Sequence, residues 1–230
     1  MIRAILLDLG GPVFNEDAEY QTWTELLVGE LQRRGTSAAP EEFRRILEEE
    51  IARCEPNPWL STVWRFVRPD LAKFREILAV FRARNEAFQK ELPGVYVRPE
   101  AKKVIPQLAE RYELALAANQ PPKALELLDE AGLLPFFRFK EVSETMGIAK
   151  PRPLFFRMIL DTLGVRPEEA VMVGDRLDHD ILPARLLGLH TVRVQIGPYA
   201  RQKPLNHLYV PEHEIPDLCE LETVLARANV

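Results

Sequence analysis

The stretch Ile2-Arg3-Ala4-Ile5-Leu6-Leu7-Asp8-Leu9-Gly10-Gly11-Pro12-Val13-Phe14 decides how the rest of the chain is read. Its apolar run is too short for a core helix and rich in branched side chains, the pattern of a buried strand. The run ends in a carboxylate, and Gly10-Gly11-Pro12 forces a turn there. A charged side chain at the carboxyl end of a buried strand stands where open α/β sheets bind their ligands. Alone, such an aspartate is as readily a strand terminator as a functional group, so the decision falls to the residues that follow.

The 230 residues allow one large core or a core with a smaller companion, and 47% hydrophobic residues are enough to bury it. A net charge of -5 offers no electrostatic footprint for nucleic acid. The two cysteines, Cys54 and Cys219, lie far apart and fit a reducing compartment better than a disulfide scaffold. No apolar stretch reaches membrane-spanning length, and the first one, broken by Arg3 and stopped by Asp8, is no signal peptide. The expectation is a soluble cytoplasmic protein without nucleic-acid or membrane partners, as a monomer or a homodimer.

From Glu16 to about Leu92 the periodicity is helical. Trp23, Leu26, Leu27 and Leu31 mark a first helix with Gly35 as its stop. Phe43, Ile46, Leu47 and Ile51 mark a second from Pro40, and Leu71, Phe74, Ile77, Leu78 and Phe81 a third from about Asp70. Prolines break the segment from Cys54 to Pro58, which leaves Trp59 and Trp64 in an irregular stretch as candidates for an exposed contact.

After Leu92-Pro93-Gly94, helices and strands alternate. Strands are expected at Glu113 to Ala118, Phe136 to Val142, Ala170 to Val173, His190 to Val194 and Leu208 to Val210. Helices are expected from Pro99 to Glu110 with a kink or break at Pro106, and from Pro122, Pro153, Ile181 and about Asp217 onward. That alternation implies α/β architecture with a parallel sheet. Asp8, Asn119 and Asp175 then end three strands, and Lys150 lies in the loop Gly147-Ile148-Ala149-Lys150-Pro151 after another. Parallel neighbours share one carboxyl edge, so these residues and Asp180 converge in one crevice. Several carboxylates held together repel unless a cation joins them, and hard oxygen ligands suit Mg²⁺.

The order Asp8-Leu9-Gly10-Gly11, Asn119, Lys150-Pro151 and Gly174-Asp175-Arg176-Leu177-Asp178-His179-Asp180 resembles the haloacid dehalogenase (HAD) superfamily over nearly the whole chain. The helical insertion resembles that superfamily's cap of the first (C1) type. The resemblance implies a Rossmann-like catalytic core of residues 1–14 and 93–230 and a helical cap of residues 15–92. It implies a Mg²⁺-dependent phosphatase acting on a small phosphorylated metabolite. Asp8 would be the nucleophile that forms an aspartyl-phosphate. Asp8, the Gly10 carbonyl, Asp175 and Asp180 would hold the metal. Lys150, Asn119 and the backbone at Leu9 and Gly10 would hold the phosphoryl oxygens.

Two positions depart from the superfamily pattern. Gly10 stands where most such phosphatases carry a second aspartate, the general acid/base, and Ala118 stands where a Ser or Thr is usual. The implied enzyme is therefore slow, or selective for good leaving groups such as sugar 1-phosphates, acyl phosphates and aryl phosphates. The same departures leave open a non-catalytic protein that binds a phosphorylated ligand or a partner. A metal-free 2-haloacid dehalogenase is a further alternative. His179 is a possible stand-in proton donor, and none of the four histidines has zinc-site spacing.

Overall fold

The computed structural model describes residues 1–228. In chain order the elements are β1 (Ala4–Leu7), β2 (Phe14–Asn15), α1 (Asp17–Arg33), α2 (Pro40–Ala52), α3 (Pro58–Val67), α4 (Leu71–Glu91), β3 (Tyr96–Val97), α5 (Pro99–Ala109) and β4 (Glu113–Leu116). There follow α6 (Lys123–Glu130), β5 (Phe137–Phe139), α7 (Ser143–Met146), α8 (Pro153–Leu163), β6 (Ala170–Gly174), α9 (Leu182–Leu187), β7 (His190–Val194), β8 (His213–Ile215) and α10 (Leu221–Ala228).

Six strands form one sheet in the order β5-β4-β1-β6-β7-β8, with every pair parallel. The fold is α/β and Rossmann-like. β1 is central and wholly buried, as a run without polar alternation requires. Ile5 and Leu7 face a layer built by α5, α6 and α10, while Ala4 and Leu6 face Phe155, Phe156 and Ile159 of α8 and Ala184 of α9. Leu7 is level with Leu116 of β4 and Val173 of β6. The next residues on all three strands therefore emerge together on one edge. Among the described residues, no helix is long and apolar enough to cross a membrane.

The helices α1 to α4 gather around a separate apolar cluster containing Leu27, Phe43, Trp59, Val63 and Ile77. The chain leaves the core through β2 and re-enters through β3, and these two strands pair antiparallel at the crossing. Tyr199, from the loop after β7, reaches across into the same cluster.

Two expectations need correction. Trp59 and Trp64 lie in α3, because Pro58 opens that helix at a position where its missing N–H costs nothing. Trp59 is buried and stacks on Tyr20 at 5.2 Å, and Trp64 sits edge-on to Phe74. Leu208 to Val210 is no strand. Asn206 accepts a hydrogen bond from the Leu208 amide and tightens residues 207–209 into a single turn, so the edge strand is His213–Ile215 instead. Pro106 does not break its helix, which runs from Pro99 to Ala109.

Candidate active site

Asp8 follows β1 directly, and its amide donates to the Val173 carbonyl at 2.9 Å, which ties it to the neighbouring strand. Its Oδ1 accepts the Leu9 amide at 2.8 Å. Its Oδ2 lies 2.9 Å from Lys150 Nζ. That amine also donates to Asp180 Oδ1 at 2.6 Å. Asp180 is fully buried, and its Oδ2 accepts the Arg176 amide, closing the loop Gly174–Asp180 on itself. Lys150 is positioned from behind by Asn119, whose Nδ2 donates to the Lys150 carbonyl at 3.0 Å while its Oδ1 accepts the Lys150 amide at 2.8 Å.

Asp8, Gly10, Asn119, Lys150 and Asp175 line one cavity of about 150 Å³, the first three and Asp175 from just past strand ends and Lys150 from the loop after α7. Asp180 lies beneath it, and the Leu9 side chain is buried in the core. Ala118 also packs into the core cluster, so its position contributes no hydroxyl to the cavity. His179 lines the cavity with its Nδ1 2.6 Å from Asp178 Oδ2. Asp178 is further held by Arg176; burial alone would raise its pKa, but His179 and Arg176 hold it well below the usual carboxylate range.

The electrostatics are unbalanced toward negative charge. Burial pushes Asp8 up to about 7, repulsion from Asp180 and Glu16 adding to it and Lys150 opposing it. Burial raises Asp175 well above its ordinary value, reinforced by Asp8 and Asp180. Burial works against the Lys150 ammonium, but Asp180 and Asp8 outweigh it and keep its pKa high. One carboxylate oxygen each from Asp8, Asp175 and Asp180 lies within 4.8 Å of the others, the one such group among the described residues. Three buried oxygen donors so close, with one lysine to offset them, fit a hard divalent cation.

Other cavity residues come from the insertion and carry no strand-end signal. Glu16, just before α1, is buried and accepts Tyr20 Oη–H at 2.9 Å and Gln120 Nε2–H at 2.7 Å. Burial raises its pKa. Glu19 lines the same space, and burial with repulsion from Glu16 pushes it up to about 9. The legible signal for Glu16 is indirect: a motif that lacks a side chain at Gly10, followed by a carboxylate just past the turn.

Residues 2–188 match the family model of the haloacid dehalogenase-like hydrolases. The chain belongs to that family. This hydrolase is 31% identical over 237 residues to glyceraldehyde 3-phosphate phosphatase of Methanopyrus kandleri, covering 98% of this chain and 97% of that one. It is 38% identical over 157 residues to phosphoserine phosphatase of Thermus thermophilus, covering 64% of this chain and 61% of that one. Among solved structures it resembles a HAD phosphatase from Thermococcus onnurineus with a TM-score of 0.60 at 25% identity, over 97% of this chain and 98% of the other.

Proposed function

We propose that this hydrolase is a Mg²⁺-dependent phosphatase that cleaves a small phosphate monoester through an aspartyl-phosphate on Asp8. The observation that carries the reading is the Asp8–Lys150 pair, 2.9 Å apart, beside two further carboxylates at the end of the central strand. The relatives named as phosphatases support it. In this reading residues 15–92 form a cap over the core of residues 1–14 and 93–230.

Asp8 supplies the attacking oxygen. The Leu9 amide and Lys150 Nζ fix that carboxylate between them, so little reorganisation precedes attack. Lys150 also offsets the charge that gathers on the phosphoryl oxygens, which lie against its ammonium and the backbone around Leu9, Gly10 and Asn119. Asn119 keeps Lys150 in place through its paired backbone hydrogen bonds. Asp8, Asp175 and the Gly10 carbonyl, with Asp180 alongside, would hold Mg²⁺, which supplies charge neutralisation on the transferring group. The insertion excludes water from the cavity. Position 10 provides no acid, so without another proton donor the enzyme is slow or restricted to good leaving groups.

The test is a panel of phosphate esters assayed with Mg²⁺ and with chelator, alongside Asp8→Asn. Metal-dependent release of phosphate that disappears in Asp8→Asn is expected. Retained turnover in Asp8→Asn would sink the aspartyl-phosphate mechanism. Chelator-resistant release of halide from a 2-haloacid, without phosphatase activity, would replace the reading altogether.

A further inference from the structure

Gly10 is not a glycine for the sake of its backbone. Its φ lies outside the left-handed region, unlike that of Gly11 at +85°, so a side chain is sterically allowed there by the main chain. What a side chain there would meet is Glu16. A Cβ on residue 10 would lie 2.7 Å from Glu16 Oε2 and 3.3 Å from its Cδ. The space beside the nucleophile that a side chain at position 10 would enter is already filled by a carboxyl group arriving from the insertion. That group is held from two directions, by Tyr20 of α1 and by Gln120 of the loop after β4. Both partners are neutral donors. Asp180 and Asp178, by contrast, are each locked by a cation, Lys150 and Arg176 respectively. Glu16 shares the cavity with Asp8 and Lys150.

We propose that Glu16 is the general acid and base of this phosphatase, taking the place of a side chain at position 10. The proposal rests on the phosphatase reading above. In the first half-reaction an Asp8 oxygen bonds to phosphorus and the bond to the leaving oxygen breaks. The leaving oxygen takes the proton from Glu16 Oε2 and departs as an alcohol, leaving Glu16 as carboxylate. In the second, water attacks the phosphorus of the aspartyl-phosphate and gives its proton to Glu16. The bond from phosphorus to the Asp8 oxygen breaks, releasing phosphate, the Asp8 carboxylate and a reprotonated Glu16. An enzyme so equipped is not confined to good leaving groups, and primary alkyl phosphates come within its range.

The experiment compares a primary alkyl phosphate with 4-nitrophenyl phosphate in wild type, Glu16→Gln, His179→Gln and Asp8→Asn. Glu16→Gln is expected to lower turnover of the alkyl ester by about 10²-fold or more. Its effect on the nitrophenyl ester, whose leaving group needs no proton, is expected to be many-fold smaller. Equal losses on both esters would mean that Glu16 only props the fold, and would overturn the proposal. A selective loss in His179→Gln with none in Glu16→Gln would overturn it too. The double variant Gly10→Asp with Glu16→Ala vacates the space and moves the acid to residue 10. It is expected to regain alkyl-ester turnover over Glu16→Ala, while Gly10→Asp alone is expected to lose activity by collision. Loss of the phosphatase reading itself registers separately, as nitrophenyl turnover that survives in Asp8→Asn.

Discussion

At the scale of single residues, the cavity concentrates more carboxyl groups than one lysine can neutralise, and each is displaced from its ordinary titration. Glu19 shows the consequence most simply. Its pKa rises from 4.5 to about 9 because burial disfavours the charged form and Glu16 repels it. A group whose pKa is raised on folding stabilises the native state fully below its unfolded pKa. That contribution fades as the pH climbs through 4.5 and is lost by about 9, because the unfolded chain ionises freely and the folded one resists. Glu19→Gln removes the conflict. The variant is expected to melt above wild type at pH 8 and level with it at pH 4. One pKa unit is about 1.4 kcal/mol, and each kcal/mol moves the midpoint of a chain this size by about 2–4 °C. Melting curves across that pH range check it, and an offset of constant size at every pH would count against the titration argument.

At the scale of elements, the site depends on the tight turn that follows β6. A Cβ on Gly174 would lie 2.3 Å from Asp180 Oδ2 and 2.8 Å from its Cβ. Asp180 has no room to yield, since Lys150 Nζ and the Arg176 amide both hold it. Gly174→Ala is therefore expected to cost about 1–3 kcal/mol through overpacking and to reduce turnover by displacing Lys150. Gly29, inside α1, meets nothing nearer than the Arg33 guanidinium at 3.7 Å. Gly29→Ala is expected to add about 0.5–1 kcal/mol of stability through helix propensity. Denaturant midpoints for the pair, with turnover of Gly174→Ala, check both signs. The same elements show what a sequence reveals. Asp8, Asn119 and Asp175 were legible because strand periodicity places them past the carboxyl ends of strands on one edge, and Lys150 through the loop motif Gly147-Ile148-Ala149-Lys150-Pro151. Glu16 left only an indirect signal, since its approach to Gly10 depends on the path of the chain through the β2–β3 crossing. Pro58 misled for a local reason: a proline reads equally as a breaker of the preceding segment and as the first residue of a helix. Leu208 to Val210 misled because apolar content favoured a strand while Asn206 closed a turn.

At the scale of the whole molecule, the cavity beside Asp8 is small by itself and adjoins one of about 610 Å³ that shares Gln89, Asn119, Gln120 and Lys150 with it. About 150 Å³ is below the roughly 300–1,000 Å³ of typical ligand sites. The walls come from two bodies: Asp8, Lys150 and Asp175 from the sheet edge, and Glu16, Glu19, Tyr20 and Trp23 from the insertion. If the insertion is the cap proposed above, an ester enters as that cap swings away, with the short β2–β3 crossing as its hinge. Such a swing would break ties along the whole seam, among them the Lys203 amide to the Ala52 carbonyl at 3.3 Å, the Arg201–Glu48 ion pair and the packing of Cys54 on Leu177 and Ile181. Gln120 reaches Glu16, Arg176 donates to the Pro56 carbonyl at 3.1 Å, and Tyr199 enters the aromatic cluster of Tyr20 and Trp59. Tyr199 is the aromatic one among them. It is buried, its hydroxyl accepts from Arg176 at 3.1 Å, and that guanidinium lies 4.2 Å from its ring centroid. Tyr199→Ala removes the plug while leaving every proposed catalytic group in place. The closed form then loses stability relative to the open one. Amide hydrogen exchange around Tyr20 and Trp59 is expected to accelerate at least about tenfold, a shift of some 1.4 kcal/mol in the closing equilibrium. KM is expected to rise, because binding must now pay for closure. Glu16 and Asp8 meet only when the insertion is down, so kcat should fall further for alkyl esters than for aryl ones. If exchange accelerated uniformly through β1 and β6 as well, Tyr199 would be a general stabiliser of the fold, and the swinging insertion would have to be held by something else.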